Sequence, residues 1–219
     1  MNKKEIRSPQ QEDLGVLAQA YVEAFGEEAW SEEHDLDEVV RKFELWTQHE
    51  NYQVKIALRN NEFAGFAVTR IVPQNEIVEN LLEEMREVSG IVLNETELEE
   101  FTNKLSMIKN SSEQEVRPDS EVGVFQDVVV VPKFRGSTTY IDLMFPMTLD
   151  LLRRDNLSMM VVYTNSNVGT VVNTLEMLGG QTIYSSDSAV VYAATKTSII
   201  EKLKELGQWE DDTETNDAE

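Results

Sequence analysis

Val124-Phe125-Gln126-Asp127-Val128-Val129-Val130-Val131, running straight into Pro132-Lys133-Phe134-Arg135-Gly136-Ser137-Thr138-Thr139-Tyr140, is the stretch on which the reading of this chain turns. Its first half is a β-branched run of the kind found in a central strand buried on both faces. Pro132 ends the run, because proline cannot donate to a ladder. Beyond it Leu143, Met144, Met147 and Leu151 recur at helical spacing, and Pro146 inside that pattern should kink the helix or delay its regular part. A loop joining a buried strand to a helix start is an anion site, since the first helical N–H groups lack partners and the helix dipole favours negative charge there. Gly136 permits a tight turn, Ser137, Thr138 and Thr139 add hydroxyl groups, and Lys133 and Arg135 add positive charge. Together they favour a phosphate or pyrophosphate cradle over a plain Ser/Thr helix cap.

Toward the N-terminus, a short strand ends at Ile6-Arg7, and Ser8-Pro9 reads as an N-cap with proline at the first helical position. Leu14, Leu17, Ala18, Tyr21, Val22 and Phe25 define the helix, which Gly26 stops. A second helix opens at Ser31 and carries Leu36, Val39, Val40, Phe43 and Trp46 on one face. Residues 52–58 alternate as a half-buried strand, and after a turn at 59–62 the strand from Phe63 to Ile71 completes a hairpin. Residues 74–122 differ in character, with thirteen acidic and four basic residues. Ile77, Leu81, Leu82 and Met85, then Leu98, Phe101, Leu105 and Ile108, predict two amphipathic helices parted by Ser89-Gly90. Such a pair is expected to pack on the main body as an insertion; a lid, or an oligomer contact such as a homodimer, is the other use for it.

Toward the C-terminus come a buried strand at Met159–Tyr163, a helix at Val168–Leu178 and a turn at Gly179-Gly180. Two strands, Thr182–Tyr184 and Ala189–Ala193, precede a final helix near Ile199–Leu206. The tail from Gln208 holds six acidic residues and no basic one, so disorder is expected there. The order implies an α/β (α+β) fold with a mixed sheet and helices on both faces. Residues 1–207 should form a single domain with a helical insertion at 74–122, and 208–219 an acidic tail.

Charge and composition narrow the function. The net charge is −22, yet Val124 to Gln181 hold four basic residues against five acidic ones, so nearly all the excess lies elsewhere. A diffuse negative field repels nucleic acid and anionic membranes, and an anionic ligand would bind where that field is relieved. There is no cysteine, which excludes disulfides, thiolate metal sites and a cysteine nucleophile. His34 and His49 lack paired spacing and do not point to a metal. No apolar run approaches bilayer length, the charged first residues have no apolar stretch behind them, and the expected compartment is the cytoplasm.

The run Val130-Val131-Pro132-Lys133-Phe134-Arg135-Gly136, after a strand with Gln126-Asp127 and before a long helix, resembles the acyl-CoA motif of the GNAT N-acyltransferases. So does Tyr163-Thr164-Asn165-Ser166-Asn167, followed by a helix ending Leu175-Glu176-Met177-Leu178-Gly179-Gly180. The opening strand, helix pair and hairpin follow that family's order. The resemblance covers most of the chain outside 74–122 and the tail, and implies a GNAT-like, mostly antiparallel sheet flanked by helices on both faces. It implies acyl transfer from acetyl-CoA, or another acyl-CoA, to an amine on a small molecule or peptide, without a metal. In that frame the pyrophosphate lies on backbone N–H groups of the loop from Arg135 to Tyr140. The pantetheine runs along the strand through Val128, Val129, Val130 and Val131, and Asn165 or Asn167 adds a hydrogen bond. The chain departs from the family in carrying Thr138 and Tyr140 where small residues belong, and Leu175 where a tyrosine acid is frequent.

For the chemistry itself, Asp127 is the candidate base, with a structural carboxylate as its alternative, and Gln126, expected on the opposite face, would orient substrate. Tyr163 and Tyr184 are the candidate acids, and Lys133 should lie at the loop's outer edge. The acidic stretches Glu27–Glu38 and Glu76–Glu121 predict a cationic acceptor. The alternative is a catalytically degenerate GNAT-like domain serving as a binding or regulatory module.

Overall fold

The computed structural model describes residues 3–26, 33–110, 119–136, 138–164 and 176–209. One seven-stranded sheet organises them: β1 (Lys4–Arg7), β2 (Tyr52–Arg59), β3 (Glu62–Pro73), β4 (Glu121–Val130), β5 (Leu157–Thr164), β6 (Gln181–Ser185) and β7 (Val190–Thr195). Their order across the sheet is β1-β2-β3-β4-β5-β7-β6. Every neighbouring pair is antiparallel except β4 with β5, which is parallel. The helices are α1 (Leu14–Phe25), α2 (Leu36–Gln48), α3 (Ile77–Ser89), α4 (Glu95–Asn110), α5 (Thr139–Leu152) and α6 (Lys196–Glu205).

Three apolar clusters hold these layers together. On one face α1 and α2 bury Leu17, Tyr21 and Phe43 against Ile56, Phe66, Val68 and Val129. Farther along the same face α3 and α4 bury Leu81, Met85, Phe101 and Leu105 against Val122, Val124, Met159 and Val161. On the opposite face α5 and α6 pack Leu143, Met147, Leu151, Ile199 and Leu203 against Phe125, Leu157, Met160 and Val162. The α3–α4 pair is therefore part of the body, covering the sheet where it would otherwise expose apolar residues.

Local chemistry moved several expected boundaries. The N-terminal cap falls at Gln10 rather than Ser8, and a 3-10 turn at Gln11–Asp13 leads into α1. The cause is Asp13, whose carboxylate accepts from the Gln10 N–H at 2.6 Å and pairs with Arg7, also at 2.6 Å. Asp35 caps α2 by accepting from the Glu38 N–H, while Ser31 lies outside the described residues. Asn94 and Glu97 form a reciprocal cap on α4. Pro146 sits inside α5 without ending it. Of the expected helix at 168–178 only its last residues are described, and the tail beyond Trp209 lies outside the described residues.

Candidate active site

Strands β4 and β5 run side by side only at first. Their rungs go from Glu121↔Leu157 to Phe125↔Val162, after which β4 continues to Val130 and β5 to Thr164. A bulge accompanies the parting: on β3, Val68 opposes Asp127 and Thr69 opposes Phe125, so Gln126 is the extra residue. Two consequences follow for the candidate residues.

The first is that the in–out alternation resets. Asp127 stands opposite Val68, which belongs to the α1–α2 cluster, and the Gln126 amide donates to Glu84 of α3 at 3.3 Å. Both side chains thus face the α1–α4 side, which corrects the expectation that Gln126 points to the opposite face. A one-residue bulge puts two neighbours on one face, and nothing in the local pattern announces it.

The second is that, among the described residues, the outer half of β4 has a ladder partner on one side only. The Val131 N–H donates to the Ala64 carbonyl at 3.1 Å, so alternation turns Val129 toward β3 as well. Val128 and Val130 are then the residues whose N–H and C=O groups face the gap. Of the four valines expected along an extended ligand, these two are placed to pair with it. Gly65, opposite Val130, permits this closeness: a Cβ there would lie 2.2 Å from the Val129 carbonyl oxygen.

The loop after β4 starts with a 3-10 turn at Pro132–Phe134. Lys133 leans outward onto Glu62, in an exposed ion pair. Arg135 turns inward, its Nε donating to the Val130 carbonyl at 3.2 Å. Gly136 adopts φ +78°, and open space lies where its side chain would be. Ser137 lies outside the described residues. The hydroxyls of Thr138 and Thr139 are already committed. Arg59 donates to both, at 2.8 and 2.7 Å, and Thr138 donates to Asp142 at 2.9 Å. Asp142 in turn pairs with Arg59 at 2.7 Å and Lys4 at 2.5 Å. The positive charge under the start of α5 therefore comes from β1 and β2, elements the motif does not include. Tyr140 packs against the α5–α6 core, and burial pushes its phenol well above the ordinary range. Its hydroxyl has no hydrogen-bond partner among the described residues.

On the opposite face, beside the bulge, is a polar cluster between the α1–α2 and α3–α4 cores. Glu84 is 8% exposed and accepts from Arg70 of β3 at 3.2 Å. Burial raises its carboxyl to about 7; Arg70 and Lys42 oppose that rise and Asp127 reinforces it. Gln126 Oε1 is buried with no partner among the described residues, an acceptor available to a ligand N–H. Lys42 of α2 donates to the Tyr21 hydroxyl at 2.8 Å and lies over the Tyr21 and Trp46 rings. Sequence reasoning missed Glu84, Arg70 and Lys42 because they come from three elements distant in the chain. Glu84 was hidden among thirteen acidic residues, and only its place in the apolar row of α3 set it apart.

Tyr163 follows the last β4–β5 rung on β5 and is buried in the α3–α4 cluster, facing the same side as Gln126. Tyr184 lies on β6, three strands from β4, a separation of roughly 14 Å at ordinary strand spacing. The structure does not bring it to the site. Asn165, Asn167 and Leu175 lie outside the described residues. Among the described residues no group of three or more His, Asp or Glu side chains could hold a metal ion.

No family model matches the sequence, and no curated protein matches it. Its backbone does superpose on solved structures. NAA60 of Arabidopsis thaliana, in complex with a bisubstrate analogue, matches with a TM-score of 0.59 at 10% identity, over 88% of this chain and 98% of that one. FdhC, a nucleotide-linked sugar GNAT, matches with a TM-score of 0.57 at 9% identity, over 94% of each chain. A putative acetyltransferase of Salmonella typhimurium, yncA, solved with acetyl-CoA, matches with a TM-score of 0.53 at 14% identity, over 88% and 94%. At such identities the likeness is one of fold.

Proposed function

We propose that this chain, whose fold is that of the GNAT N-acetyltransferases, transfers an acyl group from coenzyme A to an amine. The observation that carries the reading is the parting of β4 from β5 at Phe125–Val162, with backbone groups of Val128 and Val130 turned into the gap. An extended amide-bearing ligand can complete a ladder there, with Arg135, Gly136 and the start of α5 at its phosphate end. The packing of Tyr140 against the core favours this reading over a module with a blocked cradle.

In the reaction the amine nitrogen attacks the thioester carbonyl carbon, the C–N bond forms, the C–S bond breaks, and the amine gives up a proton. Glu84 suits the last step, because a carboxyl poised near 7 is half ionised at neutral pH and accepts a proton readily. Gln126 links Glu84 to the bulge and offers its free oxygen to the amine. Asp127 keeps its place as a second candidate base, and its charge raises Glu84. The acceptor is a small-molecule or peptide amine. The net charge of −22 favours a cationic one, although Arg70 and Lys42 balance Glu84 and Asp127 within the cluster itself.

Isothermal titration with acetyl-CoA and free CoA tests the donor; saturable heat is expected, and neither heat nor a thermal shift at millimolar ligand overturns the proposal. An acyl-transfer screen at low and high salt tests the acceptor. Cationic amines should lead and lose their advantage in salt, whereas a salt-independent preference for neutral or anionic amines defeats the cationic assignment.

A further inference from the structure

Asn60 and Asn61, at φ +53° and +64°, make the tight turn between β2, which ends at Arg59, and β3, which begins at Glu62. The turn is fastened to the N-terminal segment: the Asn60 N–H donates to the Lys3 carbonyl at 2.8 Å, and Asn60 Oδ1 accepts from the Lys3 N–H at 3.1 Å. The residues flanking the turn hold the loop between β4 and α5 at two places. Glu62 holds it from outside, through Lys133. Arg59 holds it from within. Its Nε donates to Thr139, and one terminal nitrogen donates to both Thr138 and Asp142. The Arg59 and Asp142 side chains are only 18% and 15% exposed, so this ion pair is largely shielded from solvent.

What matters is the bond that Thr138 does not make. A threonine at an N-cap ordinarily turns its oxygen onto the N–H of the second or third helical residue, here Tyr140 or Ile141. Thr138 is the N-cap of α5, and its side chain makes no such bond. Its hydroxyl instead accepts from Arg59 and donates to Asp142 at 2.9 Å. A bond from a guanidinium is stronger than one from a neutral amide, so Arg59 outcompetes the helix for the threonine oxygen.

We infer that Arg59 is a positioning residue of the donor site: it draws the Thr138 hydroxyl off the helix cap and so keeps the first turn of α5 open to an anionic group. The inference rests on the acyl-transfer reading and deepens it. It accounts for a threonine at a position where a small residue would leave the backbone clear. The same network sets the local charge, because two cations, Arg59 and Lys4, meet the single carboxylate of Asp142 and leave one positive charge in excess. That excess and the first-turn N–H groups act in the same direction on a phosphate.

The test is a double-mutant cycle read by titration calorimetry of the full chain with acetyl-CoA. Arg59→Lys keeps the charge but loses the planar fork that reaches three oxygens at once. It should weaken binding about five- to thirtyfold, the worth of an N-cap bond that the ligand must now displace. In the Thr138→Ala background, where no hydroxyl can return to the cap, Arg59→Lys should change affinity less than twofold. Amide hydrogen exchange reads the same change without ligand: Tyr140 or Ile141 should exchange more slowly in Arg59→Lys than in the wild type, and equally in the two Thr138→Ala proteins. An equal loss of affinity in both backgrounds would mean that Arg59 touches the ligand or only supports the fold, and overturns the inference. So would an Arg59→Lys protein that binds as the wild type does, or that shows no slowing of exchange. In those cases the acyl-transfer reading stands. If the wild type binds no CoA species, both fall.

Discussion

Glu84 is the residue whose chemistry differs most from its ordinary state. Its carboxyl is raised from the usual carboxylate range to about 7, chiefly by burial. The native state therefore holds a proton that the unfolded chain would release above the ordinary value. The resulting stabilisation is fully present below about pH 4.5, is lost as pH rises toward 7, and amounts to about 3 kcal/mol over that window. Urea titrations between pH 4.5 and 8 should show this slope, and Glu84→Gln should flatten it. Carboxyl-carbon NMR should place the Glu84 midpoint near 7; a midpoint in the normal range would remove it as the proton acceptor. At the loop, Arg135 and Lys133 provide the second comparison. Arg135 reaches into the groove while Lys133 is held outside by Glu62. Arg135→Ala should weaken CoA binding by roughly 1.5–3 kcal/mol, the worth of a charge-assisted contact, and Lys133→Ala by much less. Equal and negligible losses in calorimetry would show that the cradle is elsewhere.

Among the elements, the α3–α4 pair is built into the sheet's apolar packing. Phe101 of α4 is 1% exposed and shares a cluster with Leu81, Met85, Val122, Val161 and Val191. Phe101→Ala should cost about 3–5 kcal/mol in denaturant unfolding, as for a buried aromatic elsewhere. A loss below 1 kcal/mol would mean that the pair is appended rather than built in. These helices were legible in sequence because their apolar spacing is strong, and so were the strands and the strand–loop–helix junction, whose signals are all local. The bulge at Gln126 was not legible, since a single extra residue in a strand leaves the apolar pattern on either side intact. The cluster around Glu84 was equally hidden. Arg70, Glu84 and Gln126 become neighbours only when β3, α3 and β4 are assembled, and pairwise chemistry across those distances has no periodicity to read. The Thr138 and Thr139 hydroxyls were assigned to a ligand because they sit in the right loop, yet Arg59 from another hairpin claims both.

At the scale of the whole molecule, one sheet threads all three apolar clusters, so the described residues should unfold in a single transition. Strand β4 is central to that sheet and to the site, and the route by which it meets its neighbours matters. The hairpins β2–β3 and β6–β7 join strands close in sequence, whereas β4 pairs with β3 across the α3–α4 segment and with β5 across α5. Both seams of β4 require long loops to close, a cost met before their contacts form. The groove that would carry coenzyme A is therefore expected to assemble near the end of folding, after the barrier is crossed. A ligand that recognises only the finished seam stabilises the native state without stabilising the transition state. In stopped-flow experiments acetyl-CoA should slow unfolding in proportion to its occupancy and leave the refolding rate unchanged. Acceleration of refolding would mean that β4 and β5 have already met at the barrier.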